Sequence, residues 1–214
     1  MELRFNLTEL FVKVGRIQYL LLALIATGVV FFGKSFILIW AGEGYEDAYV
    51  VAVLLIIAST FDLIQNVAIE IQRAQNNHRF RSAVCAITTV FNFVITWWLC
   101  KLFGVIGAAV GLAIYFVVSY GLIMNIYYHK KCNIDIISFW KSIGRLSIGL
   151  IPPIIIGVIL NCVVKVDNLL VLIVEIVVYT GAYCMSMWFI GMNEYEKKLV
   201  SKPLKSIFGK LMRK

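Results

Sequence analysis

The sequence predicts an all-α polytopic membrane protein with six transmembrane helices, and three observations carry that expectation. The first is composition. Of 214 residues, 61% are hydrophobic and 15% are charged, where an ordinary soluble domain has ~25% charged residues. A soluble domain of this length presents much of its chain to water and could not hide so much apolar surface. The second is a set of uncharged runs. Seventeen residues separate Arg16 from Lys34, 19 separate Arg81 from Lys101, 28 separate Lys101 from Lys130, 19 separate Arg145 from Lys165, and 18 separate Glu175 from Glu194. A helix needs ~20 mostly apolar residues to cross a ~30 Å hydrocarbon core. The third is that these runs are too long for barrel strands and lack period-2 alternation.

The elements follow in order. Residues 1–16 carry Glu2, Arg4, Glu9, Lys13 and Arg16 and read as a cytoplasmic N-terminal amphipathic segment rather than a secretory signal. The membrane domain spans 17–191, with helices expected over 17–39, 48–71, 82–100, 104–127, 146–164 and 169–191. Short connections make neighbouring helices antiparallel. The fourth helix opens with Gly104, Gly107, Ala108, Ala109 and Gly111, small residues that allow close helix approach or a hinge. Pro152-Pro153 in the fifth frees backbone carbonyls and bends the helix there. Ile134, Ile137, Trp140 and Ile143 recur every three residues and mark a segment able to lie flat at the interface. Residues 192–214 form a cytoplasmic basic amphipathic tail. Within it Leu204, Ile207, Phe208, Leu211 and Met212 share a face suited to an anionic leaflet.

Orientation follows from Lys and Arg. With six spans, 17 of the 20 fall on the side of the termini; Lys34, Lys101 and Lys165 fall on the other. The positive-inside rule makes both termini cytoplasmic. Adding or losing one helix would scatter the charges over both sides. The net charge of +8 therefore belongs to membrane loops, and no nucleic-acid partner is expected. Trp40, Tyr127, Tyr128 and Trp140 fall near span ends, where aromatic belts form. Five scattered cysteines lack metal or disulfide spacing. His78 and His129 have no metal-like partners, and no hydrolase, metalloprotease or phosphate-loop motif is present. The chain is not expected to be an enzyme, and no catalytic, metal or cofactor-binding residues are assigned.

The chemistry-bearing residues lie inside the spans. A charge at mid-bilayer costs ~2.5–3.5 kcal/mol on insertion scales and usually faces protein or a watery cavity. The second helix carries Asp62, Gln65, Asn66, Glu70 and Arg73. On one helix, Asp62, Asn66, Glu70 and Arg73 form a stripe, with Asp62 ~21 Å from the outer end. The stripe either lines a translocation cavity or is a packing face with Glu70 and Arg73 paired. Glu175, the weaker candidate, shares a face with Tyr179 and Tyr183. It faces a cavity or pairs with Lys165. Asn92 and Asn161 suit interhelical hydrogen bonds.

Three stretches carry a resemblance. Phe36-Ile37-Leu38-Ile39-Trp40-Ala41-Gly42, with Tyr45 and Ala48, resembles the outer turn of polysaccharide flippases. Gln72-Arg73-Ala74-Gln75-Asn76-Asn77-His78-Arg79-Phe80 resembles their next cytoplasmic loop. Phe103-Gly104-Val105-Ile106-Gly107-Ala108-Ala109-Val110-Gly111 resembles the turn after the following span. The family is the oligosaccharide-lipid flippases of the multidrug/oligosaccharidyl-lipid/polysaccharide exporter superfamily, which includes O-antigen and capsule repeat-unit flippases. The likeness covers about residues 15–130 by motif and the last two helices by hydropathy.

The resemblance implies a bacterial inner-membrane protein with 12 to 14 helices in two lobes, of which this chain is similar to the last six. It implies flipping of undecaprenyl-linked oligosaccharide repeat units for surface polysaccharide export, with membrane lipid and lipid-linked oligosaccharide as partners. A missing N-terminal lobe or a partner chain would complete the cavity, because alternating access needs one lobe to rock against another. Arg73 is the nearest candidate for a phosphate contact, since a guanidinium suits phosphate. The alternatives are a non-transporting remnant or membrane assembly partner in a polysaccharide locus, and a fragment similar to multidrug antiporters.

Overall fold

A computed structural model describes residues 2–74, 78–164, 166 and 168–201. Helix α1 (Glu2–Ala41) is an unbroken 40-residue helix, ~60 Å long at ~1.5 Å per residue. Residues 2–16 join the first span without interruption, so α1 is about twice as long as a hydrocarbon core is thick. It is the hub of the fold and packs against α2 (Glu46–Leu63), α3 (Asn66–Ala74), α6 (Ile136–Ser147), α7 (Ile151–Val163) and α8 (Leu169–Ser186).

Polar side chains pin these helices to one another's backbones. Tyr49 Oη donates to the Val30 carbonyl at 2.7 Å, Tyr183 Oη to Leu20 at 2.6 Å, and Asn161 Nδ2 to Phe31 at 2.8 Å. In hydrocarbon such donors have no water to turn to. Asn161 thus bonds between helices as its sequence position suggested. Asn92 instead accepts from Thr96 one turn along its own helix, at 3.1 Å.

The second span is divided. Its helix stops at Leu63, a turn at Ile64–Gln65 intervenes, and α3 starts at Asn66. The amides of Gln65 and Ala68 bond three residues back, to Asp62 and Gln65, which tightens the chain and turns the axis. The expectation of one helix over 48–71 is corrected here.

Expected helices three and four form a hairpin within α4 (His78–Phe116), folded at Gly104 (φ 60°, ψ −137°). That backbone lies close to the first central position of a type II′ turn, which glycine alone adopts readily. The small residues serve close approach, one of the uses left open by the sequence, and a tight turn. Gly104 makes the fold-back. A Cβ at Gly107 would collide with the Leu99 carbonyl, and one at Gly111 with Thr96, so the two arms touch through backbone. A π-helical stretch, Val117–Met124, and α5 (Asn125–Lys130) continue the returning arm. Asn125 Nδ2 bonds back to the Gly121 carbonyl at 2.7 Å within it.

Helix α6 buries Ile136, Phe139, Ile143 and Leu146 against α1. Of the three-residue repeat expected of this segment, Ile134 and Ile143 are buried but Ile137 is 72% exposed. Three residues turn a helix by about 300°, about 60° short of a full turn, so a strict three-residue repeat drifts off one face. The Asp135 side chain caps α6, accepting from Ser138 N at 3.2 Å. A 3-10 turn, Ile148–Leu150, leads into α7, where Pro152 and Pro153 occupy the first turn. They begin a helix rather than bend one, as suits residues without N–H donors. Pro153 leaves the Gly149 carbonyl without its helical donor, and Ser186 Oγ supplies one at 2.7 Å.

Five segments are long and apolar enough to cross a membrane, and the longest, Arg79–Lys130, is the Gly104 hairpin. No strand occurs among the described residues. Much of the outer surface is bare and apolar: Val90, Phe91, Phe93, Trp97 and Trp98 on α4 are all more than half exposed. Water does not tolerate such a surface, whereas a bilayer covers it. The chain is an all-α multi-pass membrane protein. The amphipathic face expected over 204–212 lies outside the described residues.

Candidate intramembrane polar site

Asp62 lies one residue before the end of α2. Helix α4 packs against α2 and places Arg81 beside Asp62. Arg81 Nη2 donates to Asp62 Oδ1 at 3.3 Å, and Nη1 donates to Tyr128 Oη at 3.0 Å. The Arg81 guanidinium also lies 5.1 Å from the centre of the Tyr120 ring, within cation–π range. Tyr120 Oη meets Cys85 Sγ at 3.6 Å. The Asp62 and Arg81 side chains are 27% and 16% exposed, so the pair is largely withdrawn from its surroundings. A carboxylate there is stabilised by a neighbouring cation rather than by solvent.

The remaining sequence candidates divide between two sides of α3. Asn66, Glu70 and Arg73 are exposed, with Arg73 Nη1 bonded to Glu70 Oε1 at 2.9 Å. Gln65 and Gln72 are buried, and none of their four side-chain polar atoms has a hydrogen-bond partner among the described residues. Of the stripe expected from the sequence, Asn66, Glu70 and Arg73 share the exposed side of α3, and Asp62 lies before the turn at Ile64–Gln65. Its members remain linked by another route. Arg73 and Arg81 line one pocket of about 520 Å3, with Ile69, Gln72, Ser82 and Cys85. A polar zone thus runs from Asp62 through Arg81 and this pocket to Arg73 and Glu70.

Glu175 is elsewhere. It lies 5% exposed on the face of α8 that also buries Leu172, Tyr179 and Tyr183, and its Oε1 has no hydrogen-bond partner among the described residues. Tyr179 packs edge-on to Phe32 at 5.3 Å between ring centres. Lys165, the expected partner, lies outside the described residues. A second pocket, about 390 Å3, opens between α1, α2 and α6. It is mostly apolar, with Tyr19 and Ser147 joined across it at 2.6 Å.

Sequence reasoning missed Arg81, Tyr120 and Tyr128. Arg81 counted only as a loop charge, although a carboxylate buried at Asp62 favours a nearby cation, and Arg79 and Arg81 both open the returning helix. It also missed a buried pair on α1, where Arg16 meets Glu196 and the two are 7% and 1% exposed. Among the described residues, no group of three or more His, Cys, Asp or Glu is placed to hold a metal ion. Compared with protein families, curated proteins and solved structures, the chain matches none.

Proposed function

We propose that the chain is part of a transporter that flips undecaprenyl-linked oligosaccharide repeat units across a bacterial inner membrane, with both termini in the cytoplasm. The observation that carries this reading is the polar zone from Asp62 through Arg81 to Arg73 and Glu70, set in helices otherwise apolar enough to cross a bilayer. Intramembrane charges of this kind mark substrate or ion pathways more often than packing faces. The flippase-like turns around Trp40, Arg73 and Gly104 supply the substrate class.

The test is a clean deletion of the gene in its host. The lipid-linked repeat unit should accumulate on the inner leaflet, and surface polysaccharide should fall. Normal surface polysaccharide would overturn the reading.

A second reading, a membrane assembly partner in a polysaccharide locus, draws on α3. Glu70 and Arg73 expose about two thirds of their side chains in a segment otherwise apolar enough to span, and a neighbouring chain would shield them. Co-purification of a half-transporter with the tagged chain, without loss of flipping on deletion, would favour it.

A further inference from the structure

The pocket between α3 and the start of α4 carries more hydrogen-bonding capacity than its own residues use. Arg81 is held by Asp62 and Tyr128 through one hydrogen bond from each terminal nitrogen, while a guanidinium offers five N–H donors in a planar fork. Arg73 has as its partner Glu70, three residues away and exposed; such surface pairs contribute little and yield readily. Gln72 is fully buried beside them, with both Oε1 and Nε2 unpartnered among the described residues. A buried amide with neither atom satisfied is rare and calls for a water or a ligand. Two guanidiniums and an amide donor around about 520 Å3 suit a tetrahedral oxyanion, which guanidinium forks grip bidentately.

The pocket's position selects the source of that anion. It lies where two membrane-spanning segments meet at their polar ends, the depth of lipid headgroups. From Ser82 an exposed line of side chains, Ala86, Thr89, Phe93 and Trp97, runs along α4 at three- and four-residue steps. That line is a track for an acyl chain attached to whatever the pocket holds. Basic pockets between membrane helices are known headgroup sites.

We propose that this pocket binds the phosphate of a membrane phospholipid, with Arg73, Arg81 and Gln72 as its donors and the exposed line of α4 against its acyl chain. The binding stands whether or not the chain transports anything. The experiment is native mass spectrometry of the full-length chain, purified in detergent, delipidated and offered phosphatidylglycerol, diacylglycerol or inorganic phosphate in turn.

One phosphatidylglycerol should be retained per chain, and diacylglycerol should not. Arg73→Gln and Gln72→Leu should each weaken retention about tenfold, the loss expected for one hydrogen bond to a charged group. Lys101→Gln, at the other end of the α4 arm, should leave it unchanged. Arg73 is exposed, so its variant remains informative if Gln72→Leu fails to fold. Undiminished retention in Arg73→Gln, or equal retention of diacylglycerol, would overturn the proposal. Inorganic phosphate bound as tightly as the lipid would make the pocket a site for a free anion and overturn the lipid assignment.

Discussion

Arg16 of α1 grips Glu196, 180 positions later, through both carboxylate oxygens. The guanidinium also donates to the Ser142 carbonyl at 3.0 Å and to Gly191 at 3.2 Å. Glu196 is itself fixed by a reciprocal cap: its Oε2 accepts from Asn193 N, and Asn193 Oδ1 accepts from Glu196 N, both at 2.9 Å. Buried charges of this kind are tolerable when every partner is present and damaging when one is lost. Glu196→Gln or Arg16→Met should lower stability by ~3–5 kcal/mol, read as thermal unfolding in detergent. The double variant Arg16→Met/Glu196→Met should lie closer to the parent than either single change. Additive losses would show that the two do not act as a pair.

Asp62 and Arg81 make a parallel case with a functional readout. If the proposed transport function holds, Asp62→Leu should abolish flipping while leaving expression normal. Asp62→Asn keeps the shape and an acceptor for Arg81 but drops the charge, so it separates charge from hydrogen bonding. Normal transport by Asp62→Leu, measured by complementation of the deletion strain, would remove this pair from the path.

The α4 hairpin predicts two substitutions of opposite sign. Gly104→Ala places a side chain at φ 60°, ψ −137° and should cost ~1–3 kcal/mol. Gly28, inside α1, has open space around the position of a Cβ. Gly28→Ala should therefore stabilise by ~0.5–1 kcal/mol through helix propensity alone. Unfolding of both variants in one detergent system checks the ordering.

Cys132 lies between α5 and α6, beyond the spanning segments and fully buried. Burial raises its thiol above the usual range, because the thiolate loses its water. In the unfolded chain the thiol ionises near pH ~8.5. The folded state keeps its proton to higher pH, so stability from this group is intact below ~8.5 and falls as pH rises past it. Maleimide labelling of Cys132 should be slow in the native protein at pH 7 to 8 and fast after unfolding in sodium dodecyl sulfate. Cys132→Ala should lose less stability than the parent between pH 8 and 10.

The apolar runs and the Gly104 turn were readable in the sequence, since each depends on chain-local chemistry: length of hydrocarbon, and a backbone angle that only glycine accepts. The division of the second span was not readable. Ile64 and Gln65 carry no breaker, and Ile64 and Ala68, on either side of the turn, are buried in one cluster with Phe11 of α1 and Tyr128 of α5, a tertiary environment that the local sequence does not announce. Asp62 was visible as a buried acid, but its partner depends on how the chain returns after α3. Glu196 looked like one charge in a basic tail. Its burial against Arg16 is tertiary, although Asn193 and Glu196 at three-residue spacing are a capping-box signal that could have marked a helix start.

The long α1 has a consequence for synthesis. It leaves the ribosome well before several of its partners, because Leu146, Leu172, Tyr183 and Glu196 follow it by more than 100 residues. Until those residues are made, α1 has α2 and α3 against it, but the side that meets α6, α7 and α8 is uncovered and the Arg16 guanidinium lacks its carboxylate. Closure of that side thus waits for Glu196, 180 positions after Arg16. A product stopped anywhere before Glu196 would display an unanswered cation on α1, a mark by which membrane proteases could tell an unfinished copy from a finished one.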